Sequence, residues 1–278
     1  TTASIQELLA ALGYETGKID GILGRLTISA VKAFQKESGL EITGRPTEGL
    51  SIALQTEVRR SKASAEPALK DPVKLPVIGT GTGFYIQSNI LVTNNHVIDG
   101  CNYITNKKGV KLSVETADVV NDIAVLTGPD NLINLSLSSN PSLGQTVHAG
   151  GFPYNSILNN FNFTSGNVSS LFGPGSNVSE FQFTAPVQPG SSGGAILNDK
   201  GGVIGIAVSV ASIKLMEDTK SIPQNINFGI KVEVLKDILT ENKINFKKGN
   251  SFWFKSDQED IAEISKDSSI LINCHASK

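Results

Sequence analysis

The chain has 278 residues, which at about 150 residues per domain sets a soft expectation of two domains. Lys and Arg number 24 against 26 Asp and Glu, a net charge of −2, which argues against a strongly basic nucleic-acid or membrane-surface binder. Hydrophobic residues make up 39% and charged residues 18%, so the chain can bury a core, and no apolar run reaches the ~18 residues of a spanning helix.

Residues 1–55 read as three short helices forming one small domain. Ser4 and Glu7 have capping-box spacing, and Ile5, Leu8, Leu9 and Leu12 follow the i, i+3, i+4, i+7 pattern of a single apolar stripe. Gly13 stops that helix, and Asp20-Gly21 and Gly24 supply turns. Thr27 is placed to cap a second helix whose Ala30, Val31 and Phe34 face the first. Thr47, after Pro46, is placed to cap a third and shorter helix carrying Leu50 and Leu54. Residues 56–75 lose this periodicity, from Arg59-Arg60 through Pro67 and Pro72, and read as a linker. Residues 55–65 alternatively continue the third helix.

From about 76 to 245 the reading is β. Short β-branched and aromatic runs recur between Gly, Asn, Pro and Ser turns: Gly83 to Gln87, Ile90 to Thr93, Ile123 to Leu126, Thr146 to Gly150, Phe181 to Thr184 and Gly202 to Val210. Short strands with turns between them suggest a barrel or sandwich rather than βαβ units. Val232 to Leu239 has the spacing of a closing helix, and residues 246–278 form a C-terminal extension of ambiguous structure. Cys101 and Cys274 either bridge or remain two thiols. None of His96, His148 and His275 has metal-ligand spacing with another, so neither a metal nor another cofactor is expected.

Three segments carry chemistry. Pro189-Gly190-Ser191-Ser192-Gly193-Gly194 has the make-up of a tight turn presenting a nucleophilic serine: Gly190 lets the N–H groups of Gly190 and Ser192 converge on developing negative charge, and Gly193-Gly194 lets a substrate backbone approach. Thr93-Asn94-Asn95-His96 sets an imidazole at the end of an apolar strand, where it can act as a fixed general base. Asn121-Asp122 sets a carboxylate just before Ile123-Ala124-Val125-Leu126, where it can orient an imidazole. Ser191 is a rival nucleophile, Asp99 and Asp118 are rival acids, His148 reads as structural, and His275 receives no role.

Taken together, Gly79-Thr80-Gly81-Thr82-Gly83-Phe84, Val92 to Val97, Asp122 to Leu126, Gly150-Gly151-Phe152-Pro153 and Pro189 to Gly194 resemble the chymotrypsin-like serine proteases, and within them the HtrA/Deg branch. The resemblance covers roughly residues 76–240. It implies a mostly β protein with two six-stranded β-barrels behind the helical domain, and a site in the cleft between the barrels. It implies His96, Asp122 and Ser192 as a catalytic triad and the backbone N–H groups of Gly190 and Ser192 as an oxyanion hole. By alignment the substrate pocket falls on Pro186, Gln188, Val208, Ser209 and Val210. Pro186 stands where trypsin-like specificity would need an acid, so cleavage after Arg or Lys is expected to be poor. Only 38 residues follow Thr240, too few for the PDZ domain usual in that branch.

Residues 1–55 resemble the three-helix peptidoglycan-binding-like domain through Leu12-Gly13-Tyr14, Asp20-Gly21, Phe34-Gln35, Gly39-Leu40 and Gly44. Most of these are core and turn positions, which argue the fold better than the ligand. The expectation is an exported endopeptidase acting on protein or peptide substrates near peptidoglycan, its targeting peptide removed, with no nucleic-acid partner and no transmembrane segment. The alternative is a regulatory protein whose helical domain docks or inhibits.

Overall fold

The computed structural model describes residues 2–65, 75–209, 225–250 and 256–277. The chain divides into two compact units, Thr1–Pro67 and Ala68–Lys278.

The first unit holds α1 (Thr2–Ala11), α2 (Arg25–Glu37) and α3 (Glu48–Ala65). Ile5, Leu8, Leu9, Val31, Phe34, Leu50 and Leu54 are buried together with Val58. Two expected caps are displaced. Ser4 lies inside α1 rather than at its start, and α2 begins at Arg25, behind Gly24 as its cap. Thr27 is drawn inward instead: it is 1% exposed, and its hydroxyl donates to the carbonyl of Thr16 at 3.2 Å and accepts from Gln6 Nε2 at 3.1 Å. Thr47 does cap α3, accepting the N–H of Leu50 at 3.2 Å. That helix runs 18 residues because Leu50, Leu54 and Val58, at i, i+4 and i+8, all reach the core. The linker expectation over residues 56–65 therefore gives way to the helical one, and residues 66–74 lie outside the described residues. Two buried glutamines hold the loops. Gln6 Oε1 accepts the N–H of Gly21 at 2.8 Å, and Gln35 Oε1 accepts that of Gly44 at 2.9 Å, so each helix fixes the turn that follows it.

The second unit is two closed antiparallel barrels. The first contains β1 (Val77–Tyr85), β2 (Ile90–Thr93), β3 (Tyr103–Asn106), β4 (Lys111–Asp118), β5 (Ile123–Thr127) and β12 (Ser269–His275), in the order β1-β12-β3-β4-β5-β2. The second contains β6 (Thr146–Gly151), β7 (Asn162–Ser170), β8 (Glu180–Phe183), β9 (Ala195–Leu197), β10 (Val203–Val208) and β11 (Asn227–Lys231), in the order β10-β11-β8-β7-β6-β9. Read from its first strand, the second barrel runs first, second, third, sixth, fifth, fourth. The first barrel follows the same winding only if β12 stands in the first-strand position. The segment expected as a C-terminal extension is thus the strand that closes the first barrel, hydrogen-bonded to β1 on one side and β3 on the other.

That segment also crosses between the barrels. Helix α4 (Asn155–Leu158) stands between β6 and β7, helix α5 (Val232–Glu241) follows β11, and helix α6 (Gln258–Ser268) lies against β6 and β9 of the second barrel before entering β12. Gly150 makes room for α6: a Cβ there would sit 2.3 Å from Ser265 Oγ. The Cys101–Cys274 disulfide joins the C-terminal strand to the segment before β3, a sequence separation of 173.

Strand periodicity explains the core. On β5, Ile123 and Val125 face a cluster shared by both barrels, with Phe84, Val92, Leu197, Val203 and Ile230, while Ala124 and Leu126 face the interior of the first barrel with Leu91, Ile104 and Ile272. A strand buried on both faces reads as an unbroken apolar run. Phe181, Phe183, Val147 and Ile196 fill the second barrel.

Candidate active site

Strand β2 ends in a 3-10 turn, Asn95–Val97, that carries His96. The turn between β4 and β5 carries Asp122 at φ 54, in the left-handed region that Asp tolerates better than most residues. Asp122 Oδ2 lies 2.7 Å from His96 Nδ1, and Oδ1 accepts the backbone N–H of His96 at 2.8 Å. Asn94, fully buried, donates from Nδ2 to the Asp122 carbonyl at 2.9 Å, fixing the backbone of that turn. A carboxylate on Nδ1 requires the proton there, which leaves Nε2 of the neutral ring as the free base.

Ser192 lies on the loop between Pro189 and β9 and is 3% exposed. Gly190 takes φ +102, and a Cβ on it would meet the Phe152 carbonyl at 2.5 Å, so only glycine fits. Neither the Gly190 nor the Ser192 N–H has a hydrogen-bond partner among the described residues. The paired glycines that follow have a packing role as well. A Cβ on Gly193 would lie 2.2 Å from Thr82 O and Thr93 Oγ1, and one on Gly194 would lie 2.2 Å from the Gly150 carbonyl. The packing of the loop against both barrels is enough to require them.

Thr82 is the residue that sequence reasoning missed. Its hydroxyl donates to the Gly190 carbonyl at 2.7 Å and accepts the Phe152 N–H at 3.0 Å, while its own N–H donates to the Ser192 carbonyl at 2.9 Å. One threonine of the first barrel thereby ties down the loop of the second. The resemblance included it in the Gly79 to Phe84 run, but nothing in that run assigns its side chain a role.

The rivals go elsewhere. Ser191 donates its N–H to Gln188 and turns away from Ser192 to line a cavity of about 500 Å³. Asp118 accepts both the N–H and the side-chain amide of Asn121, bonds that hold its carboxyl below the usual range, and Asp99 is exposed. His148 is buried against Phe163 and bonded to Ser165. His275, given no role from sequence, stacks on Tyr103 and bonds Thr105 Oγ1 at 2.9 Å and the Leu75 carbonyl at 3.0 Å, a peg for β12. Of the expected pocket residues, Pro186 and Gln188 line the cavity with Tyr154, Leu158 and Thr164. Val208 does not: it is buried in β10 opposite Phe228. Ser209 lies against Ser192, and Val210 is outside the described residues. Glu180 opens β8 close enough to feel Asp122, and burial, then the charge of Asp122, push its carboxyl above the usual range. Among the described residues no cluster of His, Cys, Asp and Glu suits a metal ion.

Comparison with known proteins agrees with this fold. The family described as "Trypsin-like peptidase domain" matches residues 81–206, and that described as "Putative peptidoglycan binding domain" matches residues 2–54. The chain is 34% identical to the uncharacterized protein y4bJ of Sinorhizobium fredii over 84% of its own length and 37% of that protein. It is 34% identical to the serine protease Do-like HtrA of Lactobacillus helveticus over 48% of this chain and 36% of that one. The chain thus spans well under half the length of these relatives. A serine endoprotease from Yersinia pestis shares the fold, with a TM-score of 0.50 at 24% identity over 62% of this chain and 60% of that one. Residues 81–206 thus match a trypsin-like peptidase domain, within a unit folded as two six-stranded barrels, residues 2–54 match a peptidoglycan-binding-type domain, and the chain is similar to serine proteases of the HtrA kind.

Proposed function

We propose that the second unit is a serine endopeptidase that hydrolyses protein or peptide substrates through His96, Asp122 and Ser192. The observation that carries this reading is the double hydrogen bond from His96, ring and backbone, to the Asp122 carboxylate, together with a buried serine on a glycine-bent loop that packs at Gly193 against Thr93 and Asn94. Ser192 Oγ attacks the peptide carbonyl and gives its proton to His96 Nε2. The negative charge on the tetrahedral oxygen is received by the N–H groups of Gly190 and Ser192. His96 then protonates the leaving amine, and water repeats the sequence on the acyl-enzyme. Asp122 keeps the imidazole in the right tautomer and stabilises its cation. Hydrolysis of unfolded casein by wild type, lost in Ser192→Ala and reduced about 10⁴-fold in Asp122→Asn, is the expected outcome. Undiminished hydrolysis by Ser192→Ala overturns the assignment.

For the first unit we propose tethering to peptidoglycan. The family match over residues 2–54 supports this reading. The disulfide favours an oxidising compartment, in keeping with export. Full-length Ser192→Ala protein is expected to pellet with purified sacculi, and a protein that stays in the supernatant speaks against tethering.

A further inference from the structure

The Ser192 hydroxyl makes two hydrogen bonds in this structure, neither of them to the imidazole. Its oxygen accepts the backbone N–H of Ser209 at 3.1 Å and shares a second hydrogen bond with the Ser209 hydroxyl, in which either can donate. Both serines are buried, at 3% and 4% exposure. No hydrogen bond joins Ser192 to His96, whose Nδ1 is bonded to Asp122. The pairing follows from how β10 is docked. Ala207 accepts the N–H of Gly193 at 3.0 Å and donates to the Gly194 carbonyl at 2.8 Å. Two residues further on, Ser209 projects from the same side of the chain as Ala207 and meets the nucleophile loop again.

We propose that Ser209 is a positioning residue that parks the Ser192 hydroxyl away from His96 in the resting enzyme. This rests on the reading of Ser192 as the nucleophile. A hydroxyl that donates to Ser209 keeps its proton where no base can take it, and one that accepts two hydrogen bonds has its lone pairs occupied. Attack therefore requires rotation of Ser192 away from Ser209 and towards Nε2. The Ser209 side chain stabilises the resting state and is absent from the attacking geometry, so it raises the barrier measured from free enzyme. Its backbone N–H remains in any variant, so removing the hydroxyl relieves only part of the restraint.

The experiment compares wild type, Ser209→Ala and Ser209→Thr by the second-order rate of labelling with a fluorophosphonate. In that reaction Ser192 Oγ bonds to phosphorus, the P–F bond breaks, and the serine proton passes to His96 and leaves with fluoride. Ser209→Ala is expected to label roughly fivefold faster, the factor set by one hydrogen bond of ordinary net strength. Ser209→Thr, which keeps a hydroxyl, is expected to stay within about twofold of wild type. On a peptide substrate the gain of Ser209→Ala is expected to appear in KM, with kcat unchanged, because bound substrate already displaces the parked hydroxyl. A merely structural role would lower kcat and the melting temperature together. Equal labelling rates in wild type and Ser209→Ala, with Ser192 modified in both, overturn the proposal. So does slower labelling of Ser209→Ala at an unchanged melting temperature, which would make the hydroxyl an aid to attack. Wild type that carries no label at Ser192 overturns instead the assignment of the nucleophile.

Discussion

Asp122 is restrained at the carboxylate by His96 and at the carbonyl by Asn94, which together hold it in left-handed backbone geometry at the start of β5. Its negative charge also reaches Glu180, whose carboxyl, already half removed from water, is pushed above the usual range. The sign of the resulting pH dependence follows from linkage. Below the unfolded-state pKa both states carry the proton and Glu180 contributes no difference. As pH rises from there through the raised folded value, ionisation costs more in the folded state, and stability declines across that window. Glu180→Gln removes this cost, so the variant is expected to melt higher than wild type at pH 7 and alike at pH 4, as followed by differential scanning fluorimetry at both pH values. A lower melting temperature at pH 7 would mean that the bond to Asn177 outweighs burial and repulsion. At this scale the sequence was legible where chemistry and backbone demand coincide. Gly190, His96 and Asp122 could be picked out because a bent loop, a strand-end base and a carboxylate each have a recognisable setting. Thr82 had no such setting, because a threonine between glycines looks like an ordinary β residue until the barrels are docked, and Ser209 was reached only as a pocket wall by alignment, not as a partner of Ser192.

At the level of elements, β2, β5, β6, β8 and β10 announced themselves as β-branched or aromatic runs, since burial on one or both faces leaves such a signature. Strand β4 did not: Leu112 is its buried residue amid exposed Lys111, Ser113, Val114 and Glu115. Strand β12 lies in the segment of ambiguous structure, because local sequence carries no information that the last segment pairs with β1 and β3. Its partner cysteines were equally ambiguous before Cys274 was seen opposite Gly79 and Ile104 in that sheet. The disulfide closes a separation of 173 residues, for which loop entropy gives ~5 kcal/mol. The Cys101→Ser/Cys274→Ser double variant is therefore expected to melt roughly 10–20 °C lower by calorimetry, at 2–4 °C per kcal/mol for a unit of this size. A loss of only a few degrees would indicate that the hydrogen bonds and His275 peg of β12 hold the first barrel closed unaided.

Across the whole molecule, the composition and turn spacing made a β protein behind a helical domain readable, and the resemblance supplied the paired barrels. The repeated winding, with the chain's last strand in the first position, emerged only from the topology. Its consequence is that α6 and β12 connect the barrel bearing Ser192 to the barrel bearing His96 and Asp122, so the proposed chemistry depends on a segment far from all three in sequence. The central claim is that these three groups act as one catalytic unit with Ser192 as nucleophile. Fluorophosphonate labelling followed by peptide mapping tests it most directly. The account predicts a single adduct, on Ser192, that is absent in both Ser192→Ala and His96→Ala; an adduct on Ser191, or labelling of Ser192 that persists at full rate without His96, would contradict it.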